Sequence, residues 1–137
     1  AQAVARGDMR TFSAEQEARA RAKMQAIVAA HLPKTTATLA FDDSYPAMAP
    51  TAGNRALLAL LNQVNADLGL PEMGEWDPAK RGAADSSFVA ADADVLAGLG
   101  AAGSGSHAEG ETVDLTSIPR QALRSAALIG RLARTPR

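Results

Sequence analysis

The stretch GLGAAGSGSHAEGETVDL, residues 98–115, sets His107 in a loop of glycine, alanine and serine, with Glu109 and Glu111 close behind. An imidazole can ligate metal, take a proton or relay one at neutral pH, and this chain has only two histidines. Neighbours this small cannot pack a ring, so the side chain either lies in solvent or reaches something the chain does not itself contain. One histidine with a trailing glutamate is not a zinc site, because zinc takes at least three protein ligands. Spacing alone leaves both uses open. The other group placed for chemistry is Arg81, just before Gly82 and Ala83. Free backbone amides at a helix start, beside a forked guanidinium, make an anion site, and an ordinary surface arginine is the alternative.

Composition narrows what these residues serve. Fourteen basic and fifteen acidic side chains nearly cancel, giving a net charge of −1, and no basic cluster is interleaved with aromatics. That excludes the electrostatic footprint of a nucleic-acid binder. The chain has no cysteine, so disulfides and thiolate metal sites are excluded, while a reducing and an oxidising compartment fit equally well. No apolar run approaches the ~20 residues of a membrane span, which predicts a soluble chain with no membrane partner, cytoplasmic or periplasmic. The opening AQAVARGDMR begins in strand-like sequence without methionine, as expected of a piece of something longer.

The elements that must position these groups follow from periodicity. In residues 2–11, Arg6, Asp8 and Arg10 alternate with Ala5, Gly7 and Met9, the pattern of a half-buried strand. Ser13 with Gln16 forms a capping box and predicts a helix to about His31. Glu15 with Arg19 and Glu17 with Arg21 stand four apart on that helix, and Ala20, Met24, Ile27 and Val28 form its apolar stripe. Residues 35–42, with Ala37, Leu39 and Phe41 on one face, predict a second strand. His31 is expected to face solvent at the end of the first helix.

YPAMAPTAGN, residues 45–54, interrupts regular structure with two prolines and a glycine, and the domain boundary is placed there. Leu57, Leu61, Val64 and Leu68 then share one face of a helix that stops at Gly69, with Pro71 beyond. A polar loop leads from there into a short helix, DVLAGLGA reads as a buried strand, and TSIPRQALRSAALIGRLA as a helix with Pro119 in its first turn and Asp114 starting its cap. Met73 and Trp76 read as core packing in preference to a pocket lining. The fold class expected is α/β.

The order SYPAMAPTAGNRALL, RGAADSSFVA, GAAGSGSHAEGETVDLTSIPRQ and a terminal helix resembles the C-terminal part of the zinc metallopeptidases that include glutamate carboxypeptidase, succinyl-diaminopimelate desuccinylase, acetylornithine deacetylase and aminoacylase. GAAD, residues 82–85, matches the family's GGTD-like loop, and GSGSHAEGETVDL, residues 103–115, its last histidine segment. The resemblance implies that residues 1–46 are the second half of an α+β lid or dimerisation domain, and residues 47–137 the C-terminal segment of an α/β catalytic domain. It also implies that His107 is the terminal ligand of a two-zinc site, with Glu111 orienting the loop. The remaining ligands and the glutamate base belong to an N-terminal half that this chain lacks, so the chain alone is expected to be inactive.

The parent would be a homodimer hydrolysing a small peptide or an N-acyl amino acid beside a free carboxylate. Tyr45 before Pro46 stands where glutamate carboxypeptidase has a carboxylate-pairing arginine, and Arg81, with Gly82 and Ala83, would compensate in binding substrate. The competing expectation is a non-catalytic interaction module that pairs through an open sheet edge.

Overall fold

Three helices, each bounded by signals local to the chain, organise the computed structural model, which describes residues 1–80 and 84–134. They lie in two compact units, one formed by Ala1–Ala49 with Asp77–Asp92 and the other by Pro50–Trp76 with Ala93–Arg137.

In the first unit, helix α1 spans Ala14–Ala29. Ser13 is extended at the N-cap, and its hydroxyl accepts the Gln16 amide proton at 3.2 Å. The return arm of the capping box falls one residue early, with the Gln16 side-chain oxygen accepting from the Phe12 amide at 2.7 Å. Glu17 and Arg21 form their expected i, i+4 pair at 2.6 Å. Arg21 also bonds Asp43 and lies 4.8 Å from the ring centre of Phe41, which ties the segment after the helix back to it. No residue of α1 is fully buried.

The strands expected at residues 2–11 and 35–42 do not form. Both segments are irregular, without ladder bonds to each other or to any other described segment. Alternation does persist in the second, where Leu39 and Phe41 are half-buried between exposed neighbours. Alternating side chains describe an extended backbone, but a strand also needs a neighbour to take its amides and carbonyls, and none of the described residues supplies one. Among the described residues the sheet is a single antiparallel pair, so at a coarse level the expected mixture of helix and strand is present, helix-rich and compatible with α+β.

The second unit holds the core. Helix α2 spans Ala52–Asp67, with the Thr51 hydroxyl accepting from the Asn54 amide at its start. At its end the Leu70 amide bonds the Asn65 carbonyl and the Gly69 amide bonds that of Ala66. This is a Schellman cap, and it requires the left-handed φ of 64° that Gly69 adopts. Of the expected stripe, Leu61 and Val64 are buried and Leu57 and Leu68 half-buried. Leu128 of helix α3, Ser117–Leu132, completes the fully buried apolar cluster.

DVLAGLGA is not a strand. Gly98 turns the backbone with a φ of 81°, and Leu96 and Leu99 pack against the cluster from an irregular segment. The short helix expected after the polar loop is a 3-10 turn, Asp85–Phe88, in the first unit. The strand pair is β1, Gly103–Ser104, with β2, Thr112–Val113, in the register Gly103 to Val113 and Ser104 to Thr112. A side chain at position 103 would run into the Thr112 carbonyl, so glycine is required there.

Candidate functional site

His107 sits in the loop that closes the β1–β2 hairpin, and two backbone bonds shape it, Ala108 amide to Gly105 carbonyl at 3.0 Å and Glu111 amide to Ala108 carbonyl at 3.1 Å. Between the strands the Ser104 and Thr112 hydroxyls bond at 2.9 Å. Gly105 and Gly110 take positive φ, as glycine does freely. His107 takes a φ of 62° as well. For a side-chain-bearing residue that conformation costs about 1–2 kcal/mol. Its ring is exposed and makes no hydrogen bond to any other described residue. The side chains of Glu109 and Glu111 are likewise exposed and unpaired among the described residues.

Behind the loop, Asp114 does start the cap of α3. Its side chain accepts from the Thr116 amide at 2.9 Å and the Thr116 hydroxyl at 2.6 Å, and its carbonyl accepts from the Ser117 hydroxyl at 2.6 Å. The Thr116 hydroxyl holds the Asp114 carboxyl below its usual range, with the Thr116 amide adding to the effect. Ser117 in turn accepts the Ala102 amide proton at 2.8 Å. The His107 loop is thereby fastened to the start of a helix at both of its ends.

Tyr45 lies in the first unit. Its phenol donates to Asp85 at 3.1 Å, and its ring lies 5.1 Å from that of Phe88. Asp85 is the last residue of the GAAD segment. The hydrogen bond to Asp85 holds the Tyr45 phenol above its ordinary range. Arg81, Gly82 and Ala83 lie outside the described residues. Trp76, expected in the core, is exposed, whereas Met73 packs against the apolar cluster as expected. His31 faces solvent, its Nδ1 3.2 Å from the Leu32 carbonyl.

The groups that sequence reading passed over are polar residues of the second unit. Asn62 bonds both backbone groups of Met73, at 2.9 and 2.8 Å, and so holds residues 72–74 alongside α2. Asn65 and Arg124 are buried together. Asparagines at positions 62 and 65 bracket the stripe residue Val64, and that placement of polar side chains next to a core face was the available signal.

Among the described residues no group of three or more histidine, cysteine, aspartate or glutamate side chains is gathered as a metal site. Zinc needs three protein ligands, so the donors present do not by themselves fit the ion that the resemblance implies. His107 offers one ligand and no more. Comparison with known protein families, curated proteins and solved structures found no match to this chain.

Proposed function

We propose that the chain is a segment of a two-zinc amidohydrolase of the glutamate carboxypeptidase kind, which cleaves a peptide or N-acyl bond beside a free carboxylate. It contributes His107 as one metal ligand and the Tyr45–Asp85 neighbourhood, with Arg81, to the substrate side. The remaining ligands and the general base come from outside these residues, and the chain alone is inactive. One observation carries this reading. His107 occupies a left-handed position with a φ of 62° in a loop whose other left-handed turns are made by glycine. Glycine would relieve the strain, so a histidine there is explained by what its exposed ring does.

A second reading, a non-catalytic module, draws support from the first unit. Residues 2–11 and 35–42 are irregular, largely exposed and without ladder partners among the described residues, and such backbone accepts a strand from another chain.

Zinc separates the two readings. The DNA upstream of the Ala1 codon is expected to encode, in frame, the missing ligands and base. The joined polypeptide should bind two zinc ions by metal analysis and hydrolyse dipeptides or N-acyl amino acids. His107→Ala should then lower turnover by orders of magnitude, and Glu109→Ala only slightly. A joined polypeptide without zinc, or equal effects of the two substitutions, would overturn the proposal.

A further inference from the structure

Every residue from Ala101 to Thr116 is exposed, so no buried side chain fixes where the β1–β2 hairpin stands. Among the described residues neither strand packs on α2 or α3. The direction in which the hairpin projects, and with it the position of His107, therefore depends on the bonds at its base. There the next residue along the chain, Ser117, is fully buried, at 0% exposure.

The register places Ala102 opposite Asp114, one step beyond the pair Gly103 and Val113. Opposed residues that exchange hydrogen bonds in an antiparallel ladder make two, each amide to the other's carbonyl. Only one of these is direct, from the Asp114 amide to the Ala102 carbonyl at 2.8 Å. The other runs through a side chain. The Ala102 amide donates to Ser117 Oγ at 2.8 Å, and that hydroxyl donates to the Asp114 carbonyl at 2.6 Å. The same carbonyl also accepts the Ser117 amide proton at 3.0 Å. A single hydroxyl from the first residue of α3 is thus inserted into the end of the ladder, where it holds both legs of the hairpin.

We infer that Ser117 is the positioning residue for His107, setting the direction in which the hairpin leaves α3. The inference rests on the reading of His107 as a metal ligand. Helix α3 is itself anchored, by Leu128 in the apolar cluster and by Arg124 on Asn65, so the Ser117 hydroxyl connects an exposed loop to the core. The other links from α3 reach one leg each. Gln121 donates to the Gly100 carbonyl at 2.9 Å on the incoming leg. Arg120 stands 3.7 Å from Asp114 on the outgoing leg, and both side chains are exposed, where an ion pair contributes little. Serine suits the position because a hydroxyl donates and accepts at once, and alanine does neither. Groups that hold a metal ligand from behind typically change metal affinity by about 10- to 100-fold when removed.

The full chain tests the positioning without metal. It has no cysteine, so spin labels attached through Ser106→Cys and Leu123→Cys, both at exposed positions, report the distance from the His107 loop to α3. Ser117→Ala should broaden or shift that distance distribution and speed exchange of the Ala102 amide roughly tenfold. The helical circular dichroism should not change, since alanine is a good helix former. Thr116→Val is the control, because it removes a cap bond to Asp114 and keeps the Ser117 bridge; the distance should stay as it is. In the joined polypeptide Ser117→Ala should weaken zinc binding about 10- to 100-fold, and Thr116→Val should not. An unchanged distance in Ser117→Ala, or equal effects of the two substitutions on distance or on zinc, would overturn the inference. A joined polypeptide that takes no zinc would instead sink the reading of His107, while the distance measurement would still decide whether Ser117 sets the hairpin.

Discussion

Arg124 of α3 donates its Nε–H to Oδ1 of Asn65 of α2 at 2.6 Å, and both residues are buried, at 5% and 1% exposure. Its other partner is the Gln121 side chain, so the cation is held by neutral amides with no carboxylate among the described residues. The compensation is relayed. Asn65 donates to Asn62 Oδ1 at 2.9 Å, and the Asn62 amide donates on to the Met73 carbonyl at 2.8 Å, with Glu72 at 3.4 Å. Both amide dipoles therefore point their oxygens toward the guanidinium and their N–H groups toward Glu72. Such a chain strengthens each of its bonds, and it fails if a middle member is lost.

Asn65→Leu should for that reason be worse than Arg124→Met. The first leaves a buried guanidinium without its main acceptor and should cost about 3–5 kcal/mol. The second leaves an amide oxygen unsatisfied but keeps the volume filled, and should cost about 1–3 kcal/mol. Urea unfolding of the two variants should give that order, and the reverse order would mean that the relay does not support the cation.

Tyr45 is the chain's only tyrosine, so phenolate absorbance follows it without interference. Its ionisation should fall above the ordinary value of about 10, and Asp85→Asn should bring it back down. Because the folded-state value is raised, the Tyr45–Asp85 contact stabilises the fold in full below the unfolded value and is lost as pH rises through the folded one. An unshifted titration in the wild-type chain would show that the contact does not persist in solution.

Asp114 has the opposite sign. Its carboxyl is lowered, first by the Thr116 hydroxyl, so its cap on α3 is fully present above the unfolded value of about 3.9 and is lost as pH falls through the lower folded value. Amide exchange at Thr116 should accelerate in that acid window. In Asp114→Asn the acid-dependent step should disappear, and Thr116→Val should move it toward ordinary aspartate. A step unaffected by both substitutions would assign it to another carboxylate.

The helices were legible in the sequence because their signals are local. Ser13 and Gln16 mark the start of α1, Gly69 marks the end of α2, and Asp114 prepares α3; each acts on backbone within a few residues of itself. The spacing of Leu61 and Val64 likewise identified the buried side of α2. The exposed loop carrying His107 was legible too, from neighbours too small to pack a ring.

Residues 2–11 and 35–42 carried the alternation of strands and did not become strands, since a ladder needs a partner that alternation cannot supply. DVLAGLGA had the composition of a buried strand, yet Gly98 bends it and its leucines still reach the core. The orientation of α3 was also settled only in three dimensions. Its sequence defines an apolar arc and a polar one, but which arc meets α2 depends on Asn65 lying across from Arg124, fifty-nine residues away along the chain. Caps and periodicity are properties of one segment, whereas sheet pairing and the burial of a charge depend on what another segment brings alongside.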